Sequence, residues 1–136
     1  MTSAPDFLSL QMAFYQLMKQ SAALSPLITG VFDYVPDESA YPYVLLDGFA
    51  ASREWAVDLS NRLLCEQTIR ALSNDAIQEK GWRIVRDIAT VLYALFDGTA
   101  LLVGQRRIQL AVGRLVFQRG ETSIRSAILT VQTYFV

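Results

Sequence analysis

The sequence predicts an α+β domain, a mostly antiparallel sheet with two helices packed on one face, in the order α-β-β-β-α-β-β. Three observations carry this expectation. Two stretches place apolar residues at helical spacing, and two others alternate apolar and polar residues at the period of a half-buried strand. Prolines, glycines and an Asn-Asp pair fall between these stretches and punctuate them. Two helices covering one face of an antiparallel sheet is a standard way to bury one core, and residues 1–136 are expected to form one domain.

The first helix is predicted to open at Pro5-Asp6, with Asp6 as N-cap. Phe7, Leu10, Phe14 and Met18 follow at helical spacing, with Leu8, Tyr15 and Leu24 beside them. Pro26 disfavours helical geometry at Ser25, so the helix should stop near Leu24. Two β-rich runs come next, VFDYV and YVLL, around an acidic loop from Asp37 to Ala40. Pro36 closes the first run and Pro42 opens the second, where a missing N–H does least harm to a ladder. Tyr41 and Tyr43 flank Pro42 and are expected to pack on the first helix. The segment FAASREWAVDLSN has no clean period and reads as an excursion, a hairpin tip that leaves the sheet and returns. From Arg62 to Leu72 alternation resumes, with Leu63, Cys65, Ile69 and Ala71 on one face and Gln67 as the exception.

Asp75 with Gln78 resembles a capping box, and Glu79 suits the positive end of a helix. The stripe of Ile77, Ile84, Val85, Ile88, Val91, Leu92, Leu95 and Phe96 is the strongest periodic signal, and Gly98 is placed as its left-handed cap. The remainder reads as β: a short element near Leu101 to Val103, a strand from Ile108 to Gln118, a turn at Arg119-Gly120-Glu121, and a last strand from Ile124 to Val136. In that strand Ala127, Leu129, Val131, Thr133 and Phe135 share a face.

Composition limits the chemistry. The chain has no histidine and one cysteine, which removes His-assisted nucleophiles, internal disulfides and ordinary structural zinc sites. No glycine-rich phosphate loop is present. The chain is therefore read as a non-enzyme that needs no cofactor. Its longest apolar run, IATVLYALF, is far short of the roughly 20 residues a membrane span needs, and MTSAPDFLSLQ lacks the basic start of a secretory signal. At 52% hydrophobic and 18% charged, the chain is more apolar than an average soluble domain. That fits either a full core or surfaces buried against partners. The net charge of -1 argues against a general nucleic-acid binder. Yet residues 1–60 hold 2 basic and 7 acidic side chains, whereas residues 61–136 hold 10 and 6. Such asymmetry would let an acidic face of one copy meet a basic face of the next.

The helix followed by V-F-D-Y-V-P and then A-Y-P-Y-V-L-L, over Val31 to Leu46, resembles the opening of the tail-completion proteins, also called tail terminators, of long-tailed bacteriophages and gene transfer agents. The likeness extends through a tryptophan-bearing excursion, a long helix and two arginine-bearing strands. It departs from the family's usual aromatic-rich strand before the second helix, which here reads LLCEQTIRALS. The resemblance implies a structural virion protein that assembles as a ring, generally a hexamer, in the bacterial host cytoplasm. Such a ring caps the finished tail tube, joins it to the head-side connector and lets DNA pass without binding it specifically. Its partners would be further copies of itself, the tail-tube protein and the connector or stopper, with no membrane involved. Placed by charge and exposure, the candidate contact residues are Asp37 and Glu38 in the acidic loop, Arg53, Glu54, Trp55 and Asp58 in the excursion, and Arg114, Arg119 and Arg125 in the late strands. The residues taken alone leave a second reading open: a small cellular α+β binding module or assembly chaperone.

Overall fold

A computed structural model describes residues 6–55, 61–76, 81–120 and 123–135. Helix α1 spans Phe7–Lys19, strands β1, β2 and β3 span Val31–Phe32, Tyr43–Trp55 and Asn61–Asn74, and helix α2 spans Gly81–Phe96. Strands β4 (Ala100–Val103), β5 (Arg106–Gln109), β6 (Ala111–Arg119) and β7 (Ile124–Phe135) follow. Five strands form one sheet in the order β1-β2-β3-β7-β6, and β4 with β5 forms a separate hairpin. All pairs are antiparallel except β1 with β2.

Asp6 caps α1 as its sequence implies: the Ser9 N–H donates to the Asp6 carboxylate at 3.2 Å. The helix ends at Lys19, earlier than Leu24, because Ser21 starts a separate turn. Its hydroxyl oxygen accepts from the Leu24 N–H at 3.2 Å, its carbonyl accepts from the Ser25 N–H at 3.1 Å, and a short 3-10 turn follows at Ser25–Leu27.

The segment from Val31 to Leu46 is a strand, a loop and a strand, and its two strands run parallel. Val31 sits beside Val44 and Phe32 beside Leu45 in a parallel pair. The reason lies just upstream. The Thr29 N–H donates to the Pro42 carbonyl at 2.8 Å, and the Thr29 hydroxyl donates to the Ala40 and Pro42 carbonyls. These bonds draw the start of β2 back beside the start of β1, and the connection takes up the slack with a 3-10 turn at Glu38–Ala40.

Where it is described, the excursion is one arm of a long β2–β3 hairpin. Its first part, Phe49 to Trp55, continues β2, and Phe49 to Trp55 pair in register with Gln67 to Asn61 of β3. The period was hidden by a bulge at Asp47-Gly48, which shifts the register between Leu46 and Phe49 and so exchanges the faces on which apolar residues fall. Gln67, the polar exception in β3, lies opposite that bulge. It is 2% exposed, and its amide donates to the Gly48 carbonyl at 3.2 Å and the Thr68 carbonyl at 3.0 Å.

Both helices cover the same face of the sheet. Leu10, Phe14 and Met18 of α1 and Val85, Ile88, Leu92 and Phe96 of α2 join Val44, Leu46, Cys65, Ile69, Leu129 and Val131 of the strands in one buried cluster. Phe14 meets Phe96 edge to face, with ring centroids 5.6 Å apart. Burial pushes the Cys65 thiol up, as suits a small core side chain. The capping box expected at Asp75 to Glu79 lies largely outside the described residues. The expected strand from Ile108 to Gln118 is divided at the fully buried Leu110, whose N–H and carbonyl bond to Thr99 and Gly98 at the exit of α2. Gly98 has a φ of 77°, the left-handed turn expected of it.

Tyr41 and Tyr43 do not pack on α1. They form a second buried cluster with Leu45, against Phe32 and Leu72, because side chains alternate across a strand and Val44 and Leu46 take the helix side. Burial, then the adjacent Tyr41, pushes the Tyr43 hydroxyl from 10.0 up to about 12. The folded state thus holds this proton more tightly than the unfolded chain. Its stabilisation is complete below pH 10 and is lost as pH rises through about 12. Unfolding midpoints measured across that window should fall for the wild type and fall less for Tyr43→Phe.

Candidate assembly surfaces

The strand order gives the charge asymmetry a place. β1 and β6 are the outermost strands of one sheet. The β1 edge, with α1 beside it, is built from the acidic half of the chain, and the β6 edge, with α2 beside it, from the basic half. On the β1 side Asp33 and Asp37 are exposed. Lys19, on the same side, lies over the Tyr15 ring at 5.4 Å. On the β6 side Arg83, Arg86, Arg114 and Arg119 are all exposed.

Each edge also carries apolar surface. Between α1 and β1 runs an open groove of about 410 Å³ whose walls include Leu8, Met12, Phe32 and Tyr34. Leu8 is 65% exposed, Met12 55%, Tyr34 64% and the neighbouring Val35 74%. Phe7 stacks on Phe49 at the next turn, with centroids 5.4 Å apart, and both rings stay partly exposed. Between α2 and β6 lies a second open groove, of about 390 Å³, walled by Arg86, Tyr93, Leu115 and Phe117. Exposed apolar side chains gathered along an open groove are candidates for burial against a partner.

The candidate residues do not form one patch. Asp37 sits before the 3-10 turn near the β1 edge, and Glu38 lies within that turn. Arg53, Glu54 and Trp55 end β2, where the β2–β3 ladder continues past the Leu63–Phe135 pair that ends β7's contact with β3. Of Glu38, Glu54 and Trp55 only the backbone is described, and Asp58 lies outside the described residues. Arg114 and Arg119 are on the open β6 edge. Arg125 differs from them. Its guanidinium bridges Asp75 at 3.0 Å, donates to the Ile124 carbonyl at 3.2 Å and lies 5.5 Å over the Trp82 ring. Trp82 in turn meets Phe117 edge to face. Arg125 thus ties the start of α2 to the sheet, and its proposed role toward another copy does not fit a side chain so engaged.

Sequence reasoning missed Met12, Tyr34, Val35, Tyr93 and Phe117 as surface residues. One signal was available on α1, where apolar residues at 7, 8, 10, 12, 14, 15, 17 and 18 exceed what a single buried stripe needs. Among the described residues no group of three or more Cys, Asp or Glu side chains converges to hold a metal ion, and no helix is long and apolar enough to cross a membrane.

Comparison with known proteins agrees with this architecture. The family model described as "Tail completion protein gp17" matches residues 12–135. The chain is similar to a chain of a solved "Virion of native gene transfer agent (GTA) particle", with 22% identity, a TM-score of 0.80, and coverage of 97% of this chain and 98% of that one. A second solved chain, of unstated role, is 13% identical with a TM-score of 0.63, over 96% of each. At these identities the structural likeness speaks for the fold. No curated protein matches.

Proposed function

The chain belongs to the tail completion protein gp17 family, and from that premise we propose that it assembles as a ring, a hexamer, that caps the finished tail tube and joins it to the head-side connector. Family membership makes it a structural protein of the virion tail, not an enzyme. The proposed mechanism is recognition alone. Copies assemble in the host cytoplasm, the ring covers the open end of the tube, further polymerisation stops, and a new surface is offered to the neck.

One observation supports the ring above the rest: exposed Asp33 and Asp37 lie beside one outer strand of the sheet, and exposed arginines that outnumber Asp87 and Asp97 lie on or beside the other. Contacts between two different surfaces of one chain are heterologous, and they close into a ring when the rotation between copies permits. Arg53, Glu54 and Trp55 at the end of the β2–β3 ladder, together with Asp58 by its place in the sequence, are the candidate contacts for the tube or connector. Asp37, Glu38, Arg114 and Arg119 are the candidates for the adjacent copy. DNA sliding through the ring is served by a wall that does not bind phosphates tightly, since every neutralised phosphate adds affinity.

The test is solution mass by light scattering at low and high salt, with and without purified tail-tube protein. The expected result is a closed ring, formed alone or on the tube, that loosens as salt screens the charges. A monomer that is indifferent to salt and to the tube would overturn the reading.

A further inference from the structure

We infer that the α1–β1 groove is the seat for the α2–β6 edge of the next copy, so that neighbours in the ring meet through two particular surfaces of this chain. This rests on the ring reading above and adds to it which residues meet.

Three features support a second copy as the occupant. The first is charge. Asp33 lines the α1–β1 groove and Asp37 follows a few residues later, while Arg86 lines the α2–β6 groove and Arg114 and Arg119 stand on the adjoining strand. The second is shape and polarity. Each groove is walled in part by exposed apolar side chains whose outer ends stay open: Leu8 and Met12 on α1, Tyr93 on α2 and Phe117 on β6. Knobs from one side can therefore enter the recess of the other, burying apolar area on both copies, with the ion pairs at the rim setting partner and register. The third is position. The grooves flank the two outermost strands of one sheet, so neither is blocked when the other is filled, and each copy can hold a neighbour on both sides.

The surfaces need not be used by any partner other than the chain itself, and charge reversal tests that directly. Two variants are needed, Asp33→Arg with Asp37→Arg, and Arg86→Asp with Arg114→Asp. All four positions are exposed, so both variants should keep the wild-type circular dichroism and melting curve. Each variant alone then presents like charges at every contact, which should weaken self-association about 100-fold or more. Mixed in equal amounts, the two present opposite charges at every contact and should recover the wild-type mass as alternating assemblies. A third variant, Leu8→Glu with Met12→Glu, should fail to assemble alone and should not be rescued by either of the others.

Recovery on mixing supports the inference. If the wild type assembles and the charge-reversed variants assemble equally well alone, the choice of surfaces is overturned while the ring stands. If the variants stay apart when mixed, the pairing is likewise overturned. If the wild type does not assemble, even on tail tubes, the ring reading fails and this inference fails with it.

Discussion

Phe96→Ala is expected to lower folding stability by about 3–5 kcal/mol, the range for emptying a fully buried aromatic site. Phe96 is fully buried, ends α2, and meets Phe14 of α1 edge to face at 5.6 Å. Alanine would remove both the transfer free energy of the ring and the contact that joins the helices, and it would leave a void in a core that cannot fully collapse. Small domains are stable by about 5–15 kcal/mol in total, so the loss is a large share and should appear as an early urea midpoint. Unfolding should be followed at low protein concentration and high salt, because association would add apparent stability. Tyr93→Ala, on the outer side of the same helix, is the control and should change stability by less than about 1 kcal/mol. A Phe96→Ala loss no larger than that of the control would show that the helix pair is not held through this ring pair.

How much of this was legible in the sequence depends on the range of the interaction. The Asp6 cap and the α2 stripe are set by neighbours three and four residues apart, and both were read directly. So was β7, whose inward Ala127, Leu129, Val131, Thr133 and Phe135 alternate without interruption. The parallel pairing of β1 was not legible, because it depends on Thr29 reaching Ala40 and Pro42 across more than ten residues. The continuation of β2 was hidden by the bulge at Asp47-Gly48, yet Gln67 across the ladder was its visible trace. The assembly surfaces were half legible. The charge bias could be counted, but only the strand order shows that its two parts lie on opposite edges. Leu8 has the periodicity of a core residue, and nothing in its spacing says that the sheet ends before reaching it.

The same dependence on distant contacts makes Gly81→Ala destabilising although alanine is the better helix former. A Cβ on Gly81 would stand 1.8 Å from the Asp75 Oδ1 and 3.0 Å from the Ser73 hydroxyl oxygen. A flexible carboxylate would swing aside at little cost, but Asp75 is held twice. Its N–H donates to the Ser123 carbonyl at 2.9 Å and its other oxygen bridges Arg125 at 3.0 Å. Gly81 is held as well, since the Ser73 hydroxyl donates to its carbonyl at 2.9 Å. Relief of the clash therefore separates Asp75 from Arg125, whose side chain is 12% exposed and sits over Trp82. Helix propensity favours alanine by at most about 1 kcal/mol, and less at a first turn. Crowding of this kind typically costs about 1–3 kcal/mol, and disturbing a half-buried ion pair adds to it. The net expectation is a loss of about 2 kcal/mol. A double-mutant cycle isolates the cause. In an Asp75→Ala background the obstructing carboxylate is gone, so adding Gly81→Ala should be neutral or slightly stabilising. Equal losses in both backgrounds would place the strain in the backbone of α2 instead of in its contact with Asp75.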